Sequence, residues 1–166
     1  EIIGKFPWAT TGKPKSRERN IITSLDLDSG RQEQHNIHLQ KKYDEIRKNE
    51  VEYEEIMCED AEYLFVAYGS SARIAQKAIK LAREKGIKAG LLRPITLFPF
   101  PVEEIQRLAK QVKGILSLEM NAGQMVEDIR LAVGCEKKVE HFGRMGGIIH
   151  SPAEALQALE EKIIKA

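Results

Sequence analysis

The sequence predicts an α/β fold in three layers, with helices on both faces of a mostly parallel, five-stranded sheet. Three observations carry this. From Ala61 onward, apolar strand-like runs alternate four times with stretches of helical spacing. The connections are short. Right-handed crossovers between parallel strands then put the helices on both faces.

The elements follow in order. Residues 1–30 hold Gly4, Pro7, Gly12, Pro14 and Gly30 without a sustained period, and read as an extended arm. A helix is expected from Gln32 to Asn49. Its stripe of Leu39, Tyr43 and Ile46 is thin, so it should pack on something outside itself. Val51–Ile56 alternates and is acidic, which suits a sheet edge, where charge discourages further pairing. It adds the fifth strand.

The body is more regular. Glu62–Tyr68 is a strand ending at Gly69. A helix over 70–85 carries Ile74, Ala78, Leu81 and Ala82 on one face and stops at Gly86. Ile87–Leu92 is a strand cut off by Arg93-Pro94. A helix over 101–112 starts on Pro101. Gly114–Leu118 is a strand, followed by a helix over 123–133. Lys138–Phe142 is the last strand, and Ser151-Pro-Ala-Glu154 opens the last helix with a capping box. The division expected is an arm and helix over 1–50 and an α/β domain over 51–166.

Composition narrows the functions. The 166 residues include 26 Lys plus Arg and 25 Asp plus Glu, for a net charge of +1. That balance gives no electrostatic case for nucleic acid or an anionic membrane as the main partner. No apolar run approaches the ~18–20 residues that span a bilayer, and the N-terminus is no signal peptide. Cys58 and Cys135 stand apart, which suggests neither a disulfide framework nor a metal site. A reducing, cytoplasmic setting is the expectation. The opening, on Glu1, reads as the middle of a longer polypeptide.

In an open parallel sheet, ligands lie outside the carboxyl ends of the strands, near a switch in strand order. Four loops gather there. Gly69-Ser70-Ser71 opens a helix directly after a strand, where N–H groups and hydroxyls would hold a phosphate or carboxylate. Equally, Ser70 or Ser71 is the helix N-cap and Gly69 makes the turn. Arg93 and Arg144 would clamp an anion, or pair with Glu119 or with an acid on a neighbouring subunit. Glu119, Asn121 and Gln124 combine a strand-end carboxylate with two amides. They suit acid–base work if the acid is desolvated, or a structural or subunit-contact role with Asn121 capping the next helix. Trp8, the only Trp, lies in the polar arm and would anchor an interface or tuck against the body. His35 and His38 share a helix face without a third metal ligand, and His141 and His150 have no partner acid evident in the sequence. Neither cysteine has an activating neighbour. No nucleophile with a base, complete phosphate loop or metal site emerges, so a catalytic residue is not assigned.

The loops taken together resemble a known family. Ala67-Tyr-Gly-Ser-Ser-Ala-Arg-Ile74, Gly90-Leu-Leu-Arg-Pro-Ile-Thr-Leu-Phe-Pro-Phe-Pro101, Glu119-Met-Asn-Ala-Gly-Gln-Met-Val-Glu-Asp128 and Gly143-Arg-Met-Gly-Gly147 are similar to the 2-oxoacid:ferredoxin oxidoreductases. The similarity is to the C-terminal part of the subunit carrying the thiamine-pyrimidine domain. Trp8-Ala-Thr-Thr-Gly12, Ile22-Thr-Ser-Leu25, His35-Asn36 and Asp60-Ala61 look nearest the branched-chain, 2-oxoisovalerate branch.

The resemblance implies a fold like the transketolase C-terminal domain, with its first strand antiparallel. It also implies a complex that uses thiamine diphosphate, Mg²⁺ and iron–sulfur clusters to decarboxylate a 2-oxoacid oxidatively. Such a complex forms an acyl-CoA and passes electrons to ferredoxin. The pyrimidine-binding domain and the partner subunits holding the diphosphate and the clusters lie outside this sequence. The chain alone is therefore expected to bind no cofactor and to be inactive, serving assembly. The alternative is an anion- or coenzyme-A-binding regulatory module using the Gly69–Ser71 helix start.

Overall fold

The computed structural model describes residues 15, 16, 18, 21, 23–134 and 136–165. The chain divides into two units, Glu1–Lys41 and Lys42–Ala166, the boundary falling inside helix α1 (Ser29–Asn49). In the first unit, Asp28 Oδ1 accepts the Arg31 N–H at 2.8 Å, and Arg31 pairs with Asp26 at 2.8 Å, fixing the helix start. No residue of α1 is buried, as its thin apolar stripe dictates.

The second unit is the sheet and its helices. The strands are β1 (Tyr53–Ile56), β2 (Tyr63–Val66), β3 (Ala89–Pro94), β4 (Gly114–Glu119) and β5 (Val139–Gly143). The helices are α2 (Gly69–Glu84), α3 (Val102–Gln111), α4 (Met125–Val133) and α5 (Pro152–Leu159), the last continuing in a π-helical turn over Glu160–Ile164. The sheet order is β1-β3-β2-β4-β5. All neighbours are parallel except β1, which runs antiparallel to β3. The expected sheet, including its antiparallel first strand, is the one observed.

Alternation along β2 builds two cores. Leu64 and Val66 face α3 and α4, packing with Leu92, Ile105, Leu108, Ile115 and Ile129. Phe65 and Ala67 face the other way, against Ala75, Ile79, Leu91, Leu116, Leu156 and Leu159 of the α2/α5 layer. A fully buried Leu, Ile or Phe is worth about 1.5–3 kcal/mol over its exposed state, so a double-faced central strand anchors both layers. That burial explains why β2 reads as a continuous apolar run while β1 alternates.

Local signals account for most boundaries. α2 ends where Gly86 takes φ +78°. Gly86 N donates to Arg83 O at 2.9 Å and Ile87 N to Ala82 O at 3.0 Å, the paired bonds of a Schellman stop. Ser151 caps α5 through the expected box: its hydroxyl accepts from Glu154 N while Glu154 Oε2 accepts from Ser151 N. Several bounds differ from expectation: α1 begins at Ser29 rather than Gln32, and β3 runs through Arg93 to Pro94 instead of being cut off after Leu92. α2 begins at Gly69 itself, φ +55°, so the N-cap is Tyr68, and neither Ser70 nor Ser71 caps it. α4 begins at Met125 rather than 123, because Gly123 at φ +109° belongs to a turn.

Candidate functional site

The carboxyl ends of the four parallel strands share one edge of the sheet. The chain leaves β2 toward β3 and then crosses to the other side for β4, so the switch in strand order falls between β2 and β4. Tyr68–Ser71 and Glu119–Gln124 flank it.

Glu119 is the centre of this edge. It is 1% exposed, at the end of β4. Its Oε1 accepts from Ser117 Oγ at 2.7 Å and Val126 N at 2.9 Å. Its Oε2 accepts from Gln124 N at 3.1 Å and Met125 N at 2.9 Å. Gln124, the N-cap residue of α4, makes no side-chain cap. The carboxylate therefore performs the capping from five to seven residues upstream, placing negative charge at a helix N-terminus. Burial alone pushes the Glu119 carboxyl up, but the Ser117 hydroxyl and the Met125 and Gln124 amides outweigh it and hold it below the ordinary value. An ionised carboxylate with four donors is a structural anion, not a general acid.

Asn121 does not cap α4 either. Its Oδ1 accepts from Gly123 N at 2.7 Å, closing a turn within the loop. Gln124 is exposed.

The two arginines are partnered within the chain. Arg93 on β3 sits directly opposite Glu54 on β1 and pairs with it at 3.0 Å, both side chains half exposed. Neither Glu119 nor a second subunit is needed, since the antiparallel register sets opposite charges face to face. Arg144 pairs with Glu154, the capping-box acid of α5, and its backbone N donates to Glu119 O at 3.2 Å. Gly69 and Ser70 are exposed and Ser71 is buried. Trp8 and Cys135 lie outside the described residues. Cys58 is buried, and burial pushes its thiol up to about 11, which fits its reading as unreactive. His35 and His38 are exposed.

Two histidines lie beside Glu119, a proximity that the sequence alone did not reveal, and one of them is hydrogen-bonded to it. His150, 3% exposed, donates from Nε2 to Glu119 O at 2.7 Å and packs on the Phe142 ring, 4.9 Å between centroids. His141 Nε2 lies 3.9 Å from Glu119 Oε1, beyond hydrogen-bond reach. Among the described residues, the buried side-chain nitrogens without a hydrogen-bond partner are His141 Nε2, Arg144 Nε and His150 Nδ1, all on or after β5. The one legible signal for this cluster is the missing Ser, Thr, Asp or Asn at the start of α4, which obliges some other group to cap it.

The fold and edge define a three-layer α/β domain whose strand-end carboxylate, Glu119, is spent on capping its own helix. The family described as "Pyruvate:ferredoxin oxidoreductase core domain II" matches residues 61–155. A ketoisovalerate oxidoreductase subunit VorB from Methanothermobacter marburgensis is 48% identical over 93% of this chain and 43% of its own length. A 2-oxoglutarate synthase subunit KorA from Methanocaldococcus jannaschii is 33% identical over 76% of the chain and 35% of its own length. The chain thus spans less than half the length of these relatives.

Among solved structures, the 2-oxoglutarate:ferredoxin oxidoreductase from Magnetococcus marinus, with 2-oxoglutarate, coenzyme A and succinyl-CoA bound, aligns at TM-score 0.71. The identity there is 19%, covering 82% of this chain and 24% of that one. A split-gene transketolase, an inactive beta4 tetramer, aligns at TM-score 0.56 and 13% identity, covering 68% and 41%. At such identities the two structures speak for the fold alone. The chain belongs to the 2-oxoacid:ferredoxin oxidoreductase family, by its core domain II.

That family implies thiamine diphosphate and iron–sulfur clusters in the complete enzyme. The residues of this edge do not fit a diphosphate–Mg²⁺ group. Arg93 and Arg144 are each committed to a carboxylate, and the Glu119 oxygens are taken by four donors. Among the described residues, no group of three or more His, Cys, Asp or Glu could hold a metal. No described helix is long and apolar enough to cross a membrane.

Proposed function

We propose that this chain is the assembly domain of a branched-chain 2-oxoacid:ferredoxin oxidoreductase subunit in the cytoplasm. The observation that carries it is the 48% identity to a ketoisovalerate oxidoreductase subunit across 93% of the chain. Thiamine diphosphate, Mg²⁺ and the iron–sulfur clusters would be held by the pyrimidine-binding domain and by partner subunits, which also pass electrons to ferredoxin. Residues 1–50, with Trp8, would connect to that domain, and residues 51–166 would dock it. The pairing of Arg93 with Glu54, of Arg144 with Glu154 and of the Glu119 oxygens with four donors supports this reading, because these groups are not held in reserve for a ligand. The isolated chain is inactive on this view.

A second reading rests on one observation. The N-terminus of α2 has no side-chain cap, so the first N–H groups of Gly69–Ser71 keep no side-chain partner at the switch in strand order. A coenzyme A phosphate would suit it, and coenzyme A is present in the Magnetococcus structure. Calorimetry separates the two. The chain is titrated with coenzyme A and, separately, with thiamine diphosphate plus Mg²⁺. Assembly predicts no heat from either. Coenzyme A binding lost in Ser70→Ala/Ser71→Ala would establish the second reading, and tight thiamine diphosphate binding would overturn both.

A further inference from the structure

The unpartnered nitrogens around Glu119 carry an inference about how this edge responds to protons. His141 is on β5, and its ring is wedged between two loops. A Cβ built on Gly123 would lie 3.6 Å from its Cε1, and one on Gly143 would overlap the ring, only 2.7 Å from Nε2. The close approach is at Gly143, in the stretch that leads from β5 to α5, while the Gly123 loop lies beside the ring with room for ordinary contact.

The Nε2 atom is buried, without a partner, and faces a carboxylate oxygen 3.9 Å away. An N–H at that position would be drawn in to about 2.7–2.9 Å, the range of a charge-assisted bond. The observed separation leaves the pair unbonded, and a response to protons at this contact requires the neutral ring's proton on Nδ1, so that Nε2 presents a lone pair to this oxygen. Proton uptake at Nε2 reverses the sign of this contact. The ring must then advance by about 1 Å to reach Oε1. The ring lies against Gly143, where an added Cβ would overlap it, so its movement is felt at that residue.

Gly143 opens the loop that reaches His150. Glu119 O holds both ends of that loop, through Arg144 N and His150 Nε2. Between them Gly146 and Gly147 take positive φ, and Met145, Ile148 and Ile149 stand exposed.

We propose that His141 is a proton-operated latch, closing onto Glu119 when it takes up a proton and shifting the two loops it separates, residues 121–124 and 143–150. The charged and titratable groups facing it are Glu119 from β4, Arg130 from α4, Lys162 from the π-helical turn and His150 from the loop itself. Burial chiefly, then Lys162, Arg130 and His150, lower the His141 value, with Glu119 opposing them. The latch is therefore open at neutral pH and closes on acidification, with a midpoint below 6.5.

Nuclear magnetic resonance on the 166-residue chain tests this. Imidazole ¹⁵N shifts at pH 7.5 should place the neutral His141 proton on Nδ1; a proton on Nε2 would overturn the proposal. On acidification from pH 7.5 through the range in which the chain stays folded, the amides of Gly123, Gly143, Gly146 and Gly147 should shift with one midpoint, that of His141. In His141→Gln, or His141→Asn if that folds better, the common transition should vanish. Its persistence in either variant would refute the latch.

Discussion

Replacing Glu119 by Ala removes one side chain and strands four donors. Gln124 is exposed, so its N–H turns to water. The Ser117 hydroxyl rotates to another acceptor. Met125 and Val126 are 3% and 4% exposed, and their N–H groups have no such recourse. A buried donor left unpaired costs about 1–3 kcal/mol, which sets the loss at about 2–6 kcal/mol. Against a typical total of about 5–15 kcal/mol this is severe, and at about 2–4 °C per kcal/mol it lowers the melting temperature by about 4–24 °C.

Urea unfolding followed by circular dichroism measures it, with an unchanged slope confirming that the unfolded state is the same. Glu119→Gln keeps one acceptor oxygen and should lose about half as much. The sign with pH is also fixed. The folded carboxyl sits below its ordinary value of 4.5, so its contribution is complete above about that pH and is lost as the pH falls through the lower folded value. Glu119→Gln should accordingly flatten the acid limb of the stability curve. A Glu119→Ala protein within about 0.5 kcal/mol of the parent would refute the capping role, since that is the range of surface substitutions.

Three further outcomes are expected. Gly143→Ala puts a methyl group into the Asn121 carbonyl and the His141 ring, and should cost about 1–3 kcal/mol or more in the same urea assay. Ser151→Ala breaks one half of the α5 capping box and should cost about 1 kcal/mol, a smaller change read in the same way. In a Cys135→Ser background, Cys58 should resist iodoacetamide at pH 8 in the folded chain and react on unfolding. Its thiol is buried and raised to about 11; rapid labelling of the folded protein would contradict that burial.

The sheet was legible because burial on two faces writes itself as apolar runs, and the helices because Gly86, Pro101 and Ser151-Pro152 punctuate them. The interior of the edge was not. Glu119 acts on amides five to seven residues away, a span that no helical or strand period encodes. Arg93 finds Glu54 only once β1 is known to lie antiparallel beside β3. The partner of Arg144 was hidden because Glu154 already had a complete role in the capping box. Gly69 sat one residue into its helix instead of before it, which moved the cap from serine to Tyr68. That last difference concerns where a turn ends, which depends on φ values that spacing does not reveal.

The central claim is that this chain builds a ketoisovalerate-type oxidoreductase instead of binding a ligand by itself. The direct measurement replaces the matching 154 residues of the Methanothermobacter marburgensis VorB subunit with this chain and assembles the result with its partner subunits. One then reads 2-oxoisovalerate-dependent, coenzyme-A-dependent reduction of an electron acceptor. The assembly role predicts a complex that elutes intact and turns over 2-oxoisovalerate, while the chain alone is silent. A chimera that fails to assemble, though the chain is folded, would contradict it.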